Sequence, residues 1–140
     1  MAAWASDNTA TDAVFLVDNG DFRMFSRRAI VAADPDVRYV YYLAPWRLGE
    51  WMDRSGRQSV LLRQPDADGL QRLVNDLARQ EDLAGAREWY VVLLASVAPE
   101  KTQGLEPVSS DRWGQVLRLY RLRPPPTPAS QPASAQGGNQ

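Results

Sequence analysis

At 140 residues, with 44% apolar content and a formal net charge of −1, the chain supports one ordinary hydrophobic core, and its charge balance argues against nucleic-acid binding. It holds no cysteine and no histidine, which excludes disulfides, zinc and haem ligation, thiol nucleophiles and histidine-based triads. Chemistry is left to carboxylates, hydroxyls, arginines, the single lysine Lys101, or a Mg²⁺ or Ca²⁺ held by carboxylates.

In chain order, residues 2–8 predict a short helix through Trp4 that breaks near Thr9-Ala10-Thr11-Asp12. The apolar, β-branched run at 13–17 predicts a buried strand. It stops at Asp18-Asn19-Gly20-Asp21, followed by a helical turn at 22–28 and a second short strand at 29–33. Pro35 disfavours helix at Asp34 and sets the break there. The composition of 38–43, rich in tyrosine and valine, predicts a third strand ending before Pro45. A short amphipathic helix is expected over 46–54, closing near Gly56, and another strand over 59–62.

The clearest helix begins after Pro65, with Asp66 as N-cap, Asp68 in the first turn and Leu70, Leu73, Val74 and Leu77 on one face. It frays between Gln80 and Gly85. Residues 89–94 are the most hydrophobic strand and are expected at the sheet centre, 98–111 form a polar loop, and a last strand over 113–123 sets Leu117 and Leu119 opposite Arg118. Alternating strands and helices predict a single α/β domain over 1–123, with a mixed or mostly parallel sheet of about five strands flanked by helices. The tail at 124–140, rich in Pro, Ser and Gln and free of charge, is expected to be disordered. No apolar run approaches the roughly 18 residues that span a bilayer, and no secretory signal opens the chain. The polypeptide as written is therefore expected to be soluble and to stay where it is made.

Asp18, Asn19 and Asp21 gather polar groups at a strand end, where α/β domains place ligands. Two carboxylates one turn apart suit Mg²⁺-dependent phosphoester chemistry. The partner acids such phosphatases and nucleases need on neighbouring strands are missing, since the central strand ends Leu94-Ala95-Ser96-Val97. A plain turn using Asn-Gly, with Asp capping the next segment, is the simpler reading. No glycine-rich phosphate loop occurs. Arg23, Arg27 and Arg28 suit a phosphate or carboxylate, or ion pairs with Asp18, Asp21 or Asp34. Arg112, Arg118, Arg121 and Arg123 give the last strand a basic flank, suited to anionic lipid headgroups or to a solvated sheet edge. Tyr39, Tyr41, Tyr42, Trp46 and Trp51 concentrate aromatics whose ordinary use is packing at a helix–sheet seam.

The order of a Trp helix, then Asn8-Thr9-x-x-Asp12-Ala13-Val14-Phe15-Leu16, then Asp21-Phe22-Arg23-x-Phe25-Ser26-x-Arg28-Ala29-Ile30-Val31-x-x-Asp34, resembles the soluble C-terminal domains of polytopic bacterial membrane proteins of the GT-C glycosyltransferase-like type. The resemblance is strongest over 4–34 and extends to 86–123, where Val116-Leu117-Arg118-Leu119-Tyr120-Arg121-Leu122 is similar to their closing strand. It implies an accessory or interaction domain on the extracytoplasmic face of the membrane if the chain is an excerpt, and a cytoplasmic one if it is complete. Implied partners are a membrane-embedded region or a partner protein, glycan, lipid-linked donor or anionic lipid headgroup, with no nucleic acid. It carries no catalytic residue, metal or cofactor onto this chain. Asp18, Asn19, Asp21, Arg23 and Arg28 are the candidate ligand-binding residues. The alternative is a small Mg²⁺-dependent phosphoesterase or nuclease using Asp18 and Asp21.

Overall fold

The computed structural model describes residues 1–33, 36–108 and 115–123. The elements run α1 (Ala2–Asn8), β1 (Val14–Leu16), α2 (Asp21–Ser26), β2 (Ala29–Ile30), α3 (Asp36–Leu43), α4 (Leu48–Arg63), α5 (Ala67–Leu77), β3 (Trp89–Leu94), β4 (Glu106–Val108) and β5 (Leu117–Leu122), with 3-10 turns at Pro45–Arg47 and Pro99–Thr102. The strands form one five-stranded sheet in the order β2-β1-β3-β5-β4. β1 pairs in parallel with β2 and β3, whereas β5 pairs antiparallel with β3 and β4. This is a single small α/β domain with a mixed sheet, and β3 is its central strand.

Strand periodicity of two sends successive side chains of β3 to opposite faces. Trp89, Val91 and Leu93 join Leu70, Leu73, Val74 and Leu77 of α5 on one side. Tyr90 and Val92 join Phe15, Phe22 and Ala5 on the side covered by α1 and α2. Burial on both faces explains why β1 and β3 read as unbroken apolar runs. α2 lies on one face and links β1 to β2, while α5 lies on the other and precedes β3 on the opposite flank of β1. A helix on each face is what right-handed crossovers in opposite directions require.

Helix α5 starts where its sequence says. The Asp66 carboxylate accepts from Gly69 N–H at 2.8 Å. Glycine at 69 leaves room for this cap: a Cβ there would lie 2.8 Å from both Asp66 Oδ2 and Leu61 Cδ2, and those side-chain ends would have to shift to admit it.

Two expected strands are helical instead. Residues 38–43 belong to α3, and 59–62 are the last turns of α4. In α4 the positions turned inward, Trp51, Arg54, Gln58 and Leu61, keep helical spacing, but the two that are buried, Arg54 and Gln58, are polar, so a hydrophobicity pattern does not reveal them. Buried Gln58 donates through Nε2 to Ala32 O at 2.9 Å and Val17 O at 3.4 Å, tying α4 to the ends of β1 and β2. Gly56 does not end the helix; it sits in the interior of α4 with open space around it. In α3, tertiary context overrides β propensity, as it commonly does for tyrosine- and valine-rich segments.

The last strand is not the solvated edge that its arginines suggest, because β4 covers it. This short strand lies within the expected polar loop, and its Pro107 suits an edge position. Arg121, although exposed, is engaged by the fold: it stands 5.6 Å over the Tyr90 ring, donates to Tyr90 Oη at 3.1 Å, and pairs with Glu88 and Glu106 at 3.8 and 3.6 Å. Burial pushes the Tyr90 phenol pKa upward, with Arg121 opposing. The described part of the last strand is Leu117–Leu122; Asp34, Arg112, Trp113 and the tail at 124–140 lie outside the described residues. No helix among the described residues is long and apolar enough to cross a membrane.

Candidate functional site

The strand order places a topological switch point between β1 and β3, because the chain leaves β1 toward β2 and later returns on its other side. In open α/β sheets ligands bind beyond the carboxyl ends of strands at such a point. A crevice of about 1230 Å³ lies there, walled by Val17, Asp18 and Asn19 after β1, by Leu94 at the end of β3 and by Ser96 and Val97 beyond it. Asp21, Phe22 and Phe25 of α2, Arg63 at the end of α4 and Lys101 of the second 3-10 turn also line it.

The local backbone explains how the rim is held. Asn19 Oδ1 accepts from Asp21 N–H at 2.9 Å, and Asn19 and Gly20 carbonyls accept from Phe22 and Arg23 N–H at 3.2 and 3.3 Å. The turn thus runs straight into α2, whose first residue is Asp21. Contrary to the expected use of Asn-Gly, Gly20 keeps φ at −62° and the turn needs no left-handed residue. The left-handed conformation falls instead on Arg27, at φ 54° and ψ 32°, which closes α2.

The chemistry of the lining is mixed. Phe22 is buried, whereas Phe25 is 69% exposed and presents an open aromatic surface beside the acidic rim. Asp66 also lines the crevice, but its carboxylate is engaged by Gly69 N–H and Arg72. Among the described residues, the side chains of Arg63 and Lys101 make no ion pair, and neither does Asp18 or Asp21. No group of three or more acids among the described residues is placed to hold a metal ion.

The five candidate residues named from sequence do not form one cluster. Asp18, Asn19 and Asp21 line the crevice, but Arg23 lines a separate cavity and pairs with Asp36 at 2.9 Å. Arg28 is buried and donates to Ser6 O at 2.6 Å, Thr9 O at 2.7 Å and Thr9 Oγ1 at 3.0 Å. Neither arginine pairs with Asp18 or Asp21; carbonyls at the end of α1 and Asp36 take them instead. Arg63 and Lys101 are absent from the sequence-derived set, and only the tertiary placement of a helix end and a loop brings them to the crevice.

The separate cavity, about 470 Å³, lies between β2, α3 and α4. One side is a charge network in which Arg54 binds Asp82 through Nη1 and Nη2, each at 2.9 Å, and also binds Glu50. Arg47 reaches Glu50 and Asp82, each at 3.3 Å. Hydrogen bonds from Arg54, reinforced by charge and by Arg47, hold the Asp82 carboxyl below its usual range against the opposing effect of burial. A depressed folded-state pKa stabilises above the unfolded-state value, about 3.9, and the stabilisation is lost as pH falls through the folded value. Because the Asp82 side chain is 39% exposed, solvent screening limits the effect. Asp82→Asn is expected to cost about 0.5–2 kcal/mol near neutrality and to flatten the acid limb below pH ~4, measured by urea denaturation at stepped pH. An unchanged acid limb would remove Asp82 from the account.

The expected helix–sheet packing of the aromatic segment does not occur for Tyr41, Tyr42 and Trp46. All three are exposed, Trp46 at 79%, and the two tyrosines meet edge to face at 5.1 Å. Trp51 instead lines the smaller cavity.

The fold and site define an α/β domain with its crevice at a sheet switch point. Comparison with protein-family models, curated proteins and solved structures finds no match.

Proposed function

We propose that this chain is a non-catalytic accessory domain whose crevice receives a glycan carrying an anionic group, the chemistry of a lipid-linked sugar donor. The observation that carries the reading is a pair of cations, Arg63 and Lys101, without ion partners among the described residues and in the same switch-point crevice as Asp18, Asn19 and Asp21. Cations recognise phosphate. Carboxylate and amide oxygens accept from sugar hydroxyls, and an exposed ring such as Phe25 offers the apolar surface on which a sugar face stacks. The reading continues the resemblance over residues 4–34 to soluble tails of GT-C-like membrane proteins, and in it the domain serves a membrane-embedded region or partner protein at the extracytoplasmic face.

The test is a titration of citronellyl-pyrophosphoryl-N-acetylglucosamine, a soluble short-chain lipid-linked sugar, followed by NMR of the ¹⁵N-labelled protein. Saturable shifts at 18–25 and around Lys101 are expected, with at least tenfold weaker binding in the Arg63→Ala/Lys101→Ala variant. Phe25→Ala is expected to weaken binding while leaving stability within about 0.5 kcal/mol. Equal affinity for inorganic phosphate would reduce the site to an anion site, and absence of saturation would sink the reading. Phosphate release from the probe in Mg²⁺, abolished by Asp18→Asn, would establish the phosphoesterase alternative in its place.

A further inference from the structure

The switch-point crevice straddles the carboxyl edge of the sheet, and the two faces of the sheet meet it with different chemistry. Side chains alternate along a strand, so Val92 and Leu94 of β3 point to the face covered by α1 and α2, where Val92 joins the buried cluster of Phe15 and Phe22. Leu117 of β5 stands directly opposite Leu94 in the antiparallel ladder and packs against the same cluster. Phe22, Val92, Leu94 and Leu117 all line the crevice. They form an apolar shelf that begins in the core and ends at Leu94, which is 58% exposed.

The other face brings charge. There the last turns of α4 pack Leu61 and Leu62 against the α5 cluster, and the next residue, Arg63, carries a cation to the crevice. Neither Arg63 nor Lys101 has an ion partner among the described residues. A lone exposed leucine is ordinary on a protein surface. Here it extends a concave apolar strip, the usual form of a ligand-binding wall. The volume of about 1230 Å³ is above the roughly 300–1,000 Å³ of ordinary small-molecule sites, which leaves room for more than a sugar and its phosphate.

We infer that the shelf takes the hydrocarbon chain of the anionic ligand, so that the crevice binds an amphiphile, its chain along Val92, Leu94 and Leu117 and its head beside Arg63 and Lys101. The inference rests on the reading of the crevice as a site for an anionic glycan and adds where the attached chain lies. Charge complementarity chooses this occupant. A purely apolar partner, such as a hydrophobic helix, would bury two cations without counter-charge. A sugar phosphate without a chain would leave the shelf in water. The acids Asp18 and Asp21 sit after β1 and at the start of α2, and repulsion from them sets the anionic head toward Arg63 at the end of α4.

The test compares methyl- and citronellyl-pyrophosphoryl-N-acetylglucosamine, which share head and charge and differ only in the chain. Each is titrated into the full chain labelled with ¹³C at the leucine methyls, the citronellyl compound being kept below its micelle concentration. Apolar burial predicts that the citronellyl compound binds at least tenfold more tightly than the methyl one. It alone is expected to shift the Leu94 and Leu117 methyl signals, which are assigned by their loss in Leu94→Val and Leu117→Val. Leu94→Asn is expected to weaken the citronellyl compound at least fivefold more than the methyl compound, and the comparison on the unmodified protein needs no variant. Equal affinity of the two compounds would overturn the inference and leave the anionic-glycan reading standing. Citronellyl pyrophosphate binding as tightly as its N-acetylglucosamine conjugate, with the same leucine shifts, would uphold the chain site and remove the glycan from the reading. Citronellol binding as tightly as the conjugate would show a shelf indifferent to charge and defeat the inference. Absence of saturation by either compound would sink both.

Discussion

Phe15→Ala is expected to destabilise the domain by about 3–5 kcal/mol, the range for truncating a buried phenylalanine. Phe15 is fully buried at the middle of β1. Its ring stacks on Tyr90 of the central strand, with centroids 4.9 Å apart and planes at 17°, and meets Phe22 of α2 at 4.8 Å. Removing it opens a void between sheet and α2 that neither rigid neighbour can fill, and it also removes ring–ring contacts worth about 0.5–1.5 kcal/mol beyond area. Total stability of a domain this size is about 5–15 kcal/mol, so the variant should sit near its unfolding threshold. At roughly 4 °C per kcal/mol, thermal melting should fall by about 12–20 °C. Phe25→Ala is the matched control, since its ring is mostly exposed. A loss below about 1 kcal/mol for Phe15→Ala would mean that the β1–α2 layer is not packed as described.

Arg28→Met should have the next largest effect, about 2–4 kcal/mol, although an arginine is usually a surface residue. The Arg28 guanidinium satisfies the carbonyls of Ser6 and Thr9 where α1 ends, and it also reaches Arg27 O at 3.3 Å. Helix ends leave carbonyls without intrahelical partners, and a cation there also complements the helix dipole. Methionine keeps much of the stem volume and removes every donor. The N-terminal layer should loosen selectively: hydrogen exchange at Thr9 N–H, bonded to Ala5 O at 3.2 Å, should quicken more than exchange in α5. A cost under about 0.5 kcal/mol would contradict the structural role and return Arg28 to the ligand-binding candidates.

Legibility in the chain differs by element for physical reasons. Helix α5 is readable residue by residue, because its buried positions are all apolar and its cap is an aspartate with a glycine three residues on. Strands β1 and β3 are readable because burial on both faces leaves no polar alternation to confuse the pattern. Helix α4 reads locally as a helix and then a strand because its buried residues Arg54 and Gln58 are polar, and besides Glu50 one turn away their partners lie far along the chain, at Asp82 and just past the ends of β1 and β2. Helix α3 reads as a strand because tyrosine and valine carry β propensity; in the fold it is a helix whose Asp36 and Val40 line the cavity and whose Asp36 pairs with Arg23. Of the candidate site, the acidic turn is legible because it comes directly after a recognisable strand. Arg63 and Lys101 are not, since nothing in their local sequence distinguishes them from other surface cations.

By itself, the sequence determined an α/β domain, the central strand, the capped helix and the set of chemistries closed by having neither cysteine nor histidine. These come from local periodicity and composition, which act over a few residues. Only the tertiary structure decided what the arginines do. Arg23, Arg28, Arg54 and Arg121 each find their partners across different elements, so whether one is free for a ligand depends on which acceptors the fold brings within about 3 Å. The same long-range placement set the crevice between β1 and β3, because a switch point exists only once the order of strands in the sheet is known.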